Sequence, residues 1–158
     1  NQLSKLKILD IIDPNPLEKY TITKNKIQQK IKTVKLSNKT SKDGLIKAYT
    51  FDKETIKDNE RQRRVYSVKG KSPTILARSD TTKIIINDCI RKMTPLECER
   101  LQGLPDNYTS ILSDTQRYKA IGNGFTIPVI EYFLKNLNKK PKLNAHYVQK
   151  QLFSNEVY

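Results

Sequence analysis

The stretch Arg91 to Thr109, RKMTPLECERLQGLPDNYT, contains a helix whose two ends are both set by its residues. Thr94 is a side-chain N-cap, Pro95 suits the first turn, where no backbone N–H is required, and Glu97 stands three residues past the cap to complete a capping box. Gly103 then releases the chain from the helix, and Pro105 keeps it from resuming. The pattern predicts a helix over about Pro95 to Gln102. Two fixed ends do more than permit a helix: they hold one segment in one place, and the rest of the fold must be built around it.

A second helix is expected in SDTQRYKAIG, with Ser113 as N-cap, Gln116 at the capping-box position and Gly122 as the stop. A third is expected in TIPVIEYFLKNL, capped by Thr126, where Ile130, Phe133, Leu134 and Leu137 follow the i, i+3, i+4, i+7 spacing of a buried stripe. Upstream, from Ala48, the pattern is that of strands. AYTF, RRVYSV, SPTILA and TKIII are short, β-branched or aromatic, and separated by turn residues such as Lys69-Gly70. In the first 48 residues KLKILDII suits a short helix or a strand. YTITKNKIQQKIKTV suits a helix carrying Ile22, Ile27, Ile31 and Val34, and LSNKTSKDG, Leu36 to Gly44, reads as a loop. The expected order is a basic, irregular β region followed by compact helices.

Only 36% of the 158 residues are hydrophobic and the mean hydropathy is −0.67, so the core will be thin. No apolar run approaches the roughly 18 residues needed to cross a bilayer, and no signal peptide is visible, so no membrane partner and a cytoplasmic location are expected. The chain opens on Asn1 rather than methionine, and we expect it to be a piece of something longer. Its formal charge is +14, of which residues 1–90 carry +10 from 20 basic and 10 acidic side chains. An excess of this size favours a polyanion, most simply nucleic acid, over the alternative of a solvated lysine-rich surface. Cys89 and Cys98 stand nine residues apart with no CxxC pair and only His146 for company, which supports no metal site. Both read as reduced thiols, and Cys98, inside the capped helix, reads as a small buried residue.

Two stretches carry candidate chemistry. In RYKAIGNGFTIPVIEYF, glycines flank Asn123 just before a new helix. Glycine allows close approach, and free N–H groups at a helix start attract anions. An ordinary helix–helix turn has the same letters. In NERQRRVYSVKGKSPTILARSD, the residues Arg61, Gln62, Arg63 and Arg64 lead into a strand, with Ser67, Lys69, Lys71, Thr74 and Arg78 following. Arginine forks match guanine or phosphate, glutamine matches adenine, and hydroxyls can donate to phosphate. The plainer alternative is a strand edge protected by charge.

Taken together, RKMTPLECERLQGLPDNYT and SDTQRYKAIGNGFTIPVIEYF closely resemble the last two motifs of the cytosine carbon-5 DNA methyltransferases. The matching positions are Thr94, Glu97, Arg100, Gln102, Gly103, Pro105 and Asp106, then Tyr118, Lys119, Gly122, Asn123 and Pro128. RRVYSVKGKSPTIL resembles the end of the family's target-recognition region. The resemblance implies an α+β chain: a small irregular β-rich recognition region over 1–90, then helices over 91–137 that belong to an α/β S-adenosylmethionine-dependent methyltransferase fold, then a basic tail over 138–158. It implies double-stranded DNA as partner, contacted by Arg61, Gln62, Arg63, Arg64, Ser67, Lys69, Thr74 and Arg78. It further implies S-adenosylmethionine as cofactor, with Asn123 and Gly124 on one wall of an incomplete pocket. Family members often have serine where this chain has Gly124.

The same resemblance implies what stands elsewhere. The family attacks carbon 6 of a flipped-out cytosine with a cysteine that follows a proline. This sequence holds no Pro-Cys dipeptide, no early glycine-rich loop and no Glu-Asn-Val. The expectation is a C-terminal fragment or subunit, without catalytic residues and inactive alone, that acts with an N-terminal catalytic part. The alternative is a non-catalytic DNA-binding module derived from such an enzyme. Without its partner, the apolar face of the third helix is expected to be exposed.

Overall fold

The computed structural model describes residues 6–22 and 40–137. Four short strands form one sheet in sequence order: β1 (Lys47–Thr50), β2 (Arg64–Ser67), β3 (Lys83–Ile86) and β4 (Cys89–Lys92). β1 pairs antiparallel with β2, with Thr50 opposite Arg64 and a bulge between Lys47 and Tyr49. β2 runs parallel to β3, Tyr66 opposite Ile84, so residues 68–82 form a crossover. β3 and β4 make a hairpin through Asn87 and Asp88, whose φ values of 47° and 60° are the signature of a type I′ turn.

Apolar side chains leave both faces of this sheet. Tyr66 and Ile84 enter one core with Ile8, Ile11, Val68, Met93, Cys98, Tyr118 and Ile121. Val65 and Ile85 enter the other with Ala48, Phe51 and Ile90. Period-two alternation therefore sends neighbouring residues of β2 and β3 to opposite cores, which is why TKIII reads as a continuous apolar run. The first core includes residues from both sides of position 90, because β4 leads directly into the helix that follows it.

α1 (Pro95–Gln102) and α2 (Asp114–Asn123) pack together against the first core, and α3 (Ile127–Leu137) ends the described chain. α1 has the expected bounds. Gly103 closes it in the left-handed region at φ 76°, its N–H returning to the carbonyls of Glu99 and Arg100. α2 starts after Ser113 as expected, with the Gln116 side chain accepting from the Ser113 backbone N–H at 3.2 Å. The chain divides into two compact units, Asn1–Ile127 and Pro128–Tyr158.

Several expectations are corrected. SPTILA is not a strand; it is the extended part of the β2–β3 crossover, where Pro73 has no N–H to give a ladder. CIRK is a strand, β4, which the sequence reading passed over. Gly122 does not stop α2, which continues to Asn123 with Gly124 as its C-cap. α3 forms and buries none of its residues, Phe133 being 61% and Leu137 74% exposed, in line with the exposed apolar face expected of this helix. KLKILDII resolves into a 3-10 turn at Ile8–Ile11, which hydrogen-bonds the crossover through Ile8 N–H to Gly70 O and Leu9 N–H to Val68 O. Of the expected helix in YTITKNKIQQKIKTV only residues 20–22 are described, and there Thr21 bridges to Arg91 beside β4. Its remainder, the first part of LSNKTSKDG and the tail after 137 lie outside the described residues.

Candidate functional site

α1 is surrounded by buried charge. The Glu97 carboxylate, fully buried, accepts from both Arg91 guanidinium nitrogens at 2.6 and 2.9 Å, from its own cap residue through Thr94 N–H at 2.8 Å, and from Asp13 N–H at 2.9 Å. Thr94 Oγ1 in turn accepts from Glu97 N–H. One carboxylate thus ties β4, the helix start and the N-terminal segment. Glu99, also fully buried, gathers the other side: it accepts from Asn107 N–H and Thr109 N–H at 2.9 Å, from Arg117 at 3.0 Å and from the Thr109 hydroxyl. Burial pushes the Glu99 carboxyl up, but the hydrogen bonds from Thr109 and the Arg117 guanidinium outweigh it and hold the group below its ordinary range.

Arg100, Asp106 and Tyr118, also matched positions, are fastened in the same way. Arg100 forks onto Asp106 at 2.8 and 2.6 Å while its third nitrogen reaches the carbonyls of Ile11 and Ile12. The Tyr118 hydroxyl donates to Met93 O at 2.7 Å, and burial pushes its pKa upward. Asp114, at the start of α2, accepts from Tyr20 and Lys19; burial raises its carboxyl, and these two partners more than reverse that. The Cys98 thiol is pushed up to about 12 by burial, so it stays protonated and packs.

The turn after α2 is held by Gln102. Its Nε2 donates to Ile121 O at 2.8 Å and to Gly124 O at 3.4 Å, and its Oε1 accepts from the Thr126 hydroxyl at 2.6 Å. Beside it lies a cavity of about 460 Å3, lined by Gly122, Gly124, Gln102, Thr126 and the crossover residues Ser72 to Ile75. No charged side chain is among its described lining residues. Gly124 lines this cavity; the exposed Asn123 is not among the lining residues. Gly122 is required for contact: a Cβ there would lie 2.5 Å from Ala77 N and 2.6 Å from the Leu76 carbonyl carbon, inside any permissible separation.

A second cavity, of about 410 Å3, also borders Ser72, Pro73 and Thr74. Arg61, Gln62, Arg64 and Thr74 line it together, as do Lys71 and Lys83. Arg63 points elsewhere and donates to Phe51 O at 2.7 Å. Arg78 pairs with Asp58 at 2.9 Å, and Ser67 Oγ accepts from Lys69 N–H within a turn, so Ser67, Lys69 and Arg78 are not gathered at this cavity. Sequence reasoning missed Lys83, whose ammonium is 2% exposed and donates to Gln62 O and Asp80, and it gave Gln102 no site role. Lysine inside the apolar run TKIII was the available signal for the first. The place of Gln102 among the matching motif positions was the signal for the second.

Comparison with known proteins gives the same family as the motif resemblance. The model of the C-5 cytosine-specific DNA methylase family matches residues 1–139. Type II methyltransferase M1.ScrFI of Lactococcus lactis subsp. cremoris is 32% identical over 87% of this chain and 34% of its own length, and M.NlaX of Neisseria lactamica 34% identical over 77% and 35%. M.HhaI of Haemophilus parahaemolyticus is 37% identical over 49% of this chain and 27% of its own. A solved Entamoeba histolytica methyltransferase aligns over 84% of this chain and 42% of its own, at 17% identity and a TM-score of 0.48. The chain spans about a third of the length of the curated relatives it matches.

Proposed function

The chain belongs to the C-5 cytosine-specific DNA methylase family, and from that premise we propose that it is the C-terminal part of a DNA (cytosine-5-)-methyltransferase, comprising the target-recognition region and the last two motifs. The observation that carries this reading is that several matched residues fasten the fold around α1: Glu97 ties Arg91 and Asp13 to the helix start at Thr94, Arg100 ties Asp106 and the carbonyls of Ile11 and Ile12, Gln102 ties the turn after α2, and Tyr118 ties Met93. A rigid bracket of this kind is what a DNA-reading surface needs if its side chains are to meet bases in fixed register. The reading surface is the cationic cavity with Arg61, Gln62, Arg64 and Thr74, flanked by Arg63, Ser67, Lys69 and Arg78.

S-adenosylmethionine, when bound, supplies the methyl group. The turn at 122–126 fits one wall of its site: it offers an uncharged cavity, a hydroxyl at Thr126 and, at Gly124, a position without a side chain whose N–H is already donated to Ala120 O and Ile121 O. Asn123 and Gly124 are assigned to the carboxylate end of the cofactor; they end α2 and lead into the start of α3 at Ile127, where a helix start favours an anion. A serine at Gly124 would bring its Cβ within 3.3 Å of Ala120 O, so in this chain the glycine suits the tight end of α2. The nucleophilic cysteine and the rest of the cofactor site belong to an N-terminal part, against which the apolar residues of α3 pack.

The test is reconstitution. Mixed with an N-terminal part bearing the Pro-Cys segment, the chain should restore methyl transfer from labelled S-adenosylmethionine to cytosine in duplex DNA, while neither piece alone does so. A folded, associated pair that stays inactive overturns the enzymatic reading and leaves a DNA-binding module.

A further inference from the structure

The reading surface carries more cations than it leaves free, and this decides which of them meet DNA. We infer that Arg61 and Lys71 are its phosphate contacts, while Arg64 and Lys83 build the cavity wall between them and Arg63 and Arg78 brace the loops around it. The inference rests on the DNA reading given above and says which side chains perform it.

Four of the seven cations are already engaged, and Lys69 does not line the cavity. Arg64 donates from Nε and Nη2 to the two Glu60 oxygens at 2.9 and 2.5 Å. Arg78 is held by Asp58, Arg63 by the Phe51 carbonyl, and buried Lys83 by Asp80 and the Gln62 carbonyl. An arginine whose fork already holds a carboxylate must surrender charge-assisted hydrogen bonds before it can take a phosphate. Arg61 and Lys71 face no such cost. Both line the 410 Å3 cavity, and among the described residues neither side chain has a hydrogen bond or ion pair.

The surroundings suit a phosphodiester. Thr74, exposed and on the same cavity wall, presents a hydroxyl donor. Lys71 is not a loose surface lysine: its backbone N–H bonds to Gly44 O at 3.0 Å, and its stem lies over Gly44, where a Cβ would come within 3.1 Å of Lys71 Cδ. That contact limits where its ammonium can go. Asp43 is the one acid among the described residues lining the cavity, so the two free cations leave the mouth positive. Because the same Ser72–Thr74 segment also borders the Gly124 cavity, a phosphate held here would lie on the far side of the wall that the cofactor reading uses.

The experiment titrates the full chain onto a mixed-sequence DNA duplex over a series of salt concentrations. Arg61→Gln and Lys71→Gln should each reduce the magnitude of the log–log salt slope by about 0.9 and weaken binding about tenfold at 50 mM salt, evenly across sequences. Arg61→Lys should keep the slope, Lys53→Gln, exposed and outside the cavity, should leave it unchanged, and Arg64→Gln and Arg78→Gln should change it less than Arg61→Gln does. Thermal melts matching the wild type confirm that the folded chain is being compared. Wild-type slopes in both Arg61→Gln and Lys71→Gln would remove this inference while leaving the DNA reading intact, as would an equal loss in Arg64→Gln or Arg78→Gln. A wild-type chain with no affinity for duplex at any salt would remove both.

Discussion

The bracket and the reading surface are built from the same side chains put to opposite use. Around α1, arginines turn inward: Arg91 is 3% exposed and closed on Glu97, and Arg117 closes on Glu99. At the cavity between β2 and the crossover, Arg61 turns outward with no partner among the described residues. The charge count follows the same division. Residues 91–137 hold six basic and five acidic side chains, a net of +1, whereas residues 1–90 carry +10. A strongly basic chain is therefore not uniformly basic. Around α1 charge is neutralised locally and desolvated; at the proposed reading surface part of it is left over. A desolvated pair contributes fixed geometry more reliably than net stability, since its Coulomb gain must first offset the removal of both ions from water.

The sharpest way to break this comparison is to uncompensate the bracket. Arg91→Met leaves the Glu97 carboxylate buried with only two backbone donors, and should destabilise the fold by about 3–5 kcal/mol in urea unfolding. The double variant Arg91→Met/Glu97→Gln should recover part of that loss, because the amide carries no charge, although its single oxygen can accept from only one of the Thr94 and Asp13 N–H groups, which bond opposite oxygens of the carboxylate. If the single variant proves as stable as the wild type, the pair is not holding the segments together. If the double variant is no better than the single, position 97 needs charge and not merely an acceptor.

A smaller effect is expected where the bracket meets the crossover. Gly122→Ala places a methyl against the backbone of Leu76 and Ala77, neither of which is a flexible side-chain end. Forcing them apart should cost about 1–3 kcal/mol, the usual range for overpacking. The displaced crossover also borders both cavities, so the salt slope of DNA binding should change with it. An unchanged melting temperature would mean that the two regions are not in close contact at this point.

How much of this was legible follows from how local each signal is. α1 was readable to the residue because Thr94, Pro95, Glu97 and Gly103 act within one turn of themselves. β4 was not, because CIRK is four residues long with two cations. Only its turn, Asn87-Asp88, marked the hairpin, and a buried Arg91 looks in sequence like a surface one. SPTILA has strand-forming side chains, but its partner is the bare face of α2 at Gly122, a contact that tertiary structure alone decides. For the same reason Gly122 was read as a stop: a glycine that ends a helix and one that admits a neighbour are the same letter. The apolar spacing of α3 correctly gave a helix, yet spacing says nothing of what covers the stripe. At the reading surface the cluster was visible and its division was not. The Glu60–Arg64 pair at i,i+4 was open to reading, whereas the bonds of Arg78 to Asp58 and of Lys83 to Gln62 span about twenty residues.

The mildest probe uses acid. Arginine and lysine keep their charge between pH 6 and pH 3, so the free cations of the reading surface do not change over that range, but carboxylates do. Glu99 has a folded pKa held below its unfolded value, because Thr109 and Arg117 favour the ionised form by more than burial opposes it. A depressed carboxylate contributes stability that is present above the unfolded value, near 4.3, and is lost as pH falls through the folded value. The wild type should therefore lose stability on acidification more steeply than Glu99→Gln, which has no proton to take up at this position. Glu99→Gln will be the weaker protein at pH 7, and the difference in urea midpoint between the two should narrow as pH falls toward 3. A constant difference across the range would mean that Glu99 acts in the bracket by shape, with its charge contributing nothing. The contrast between inward and outward charge would then hold for Arg91 and Glu97 alone.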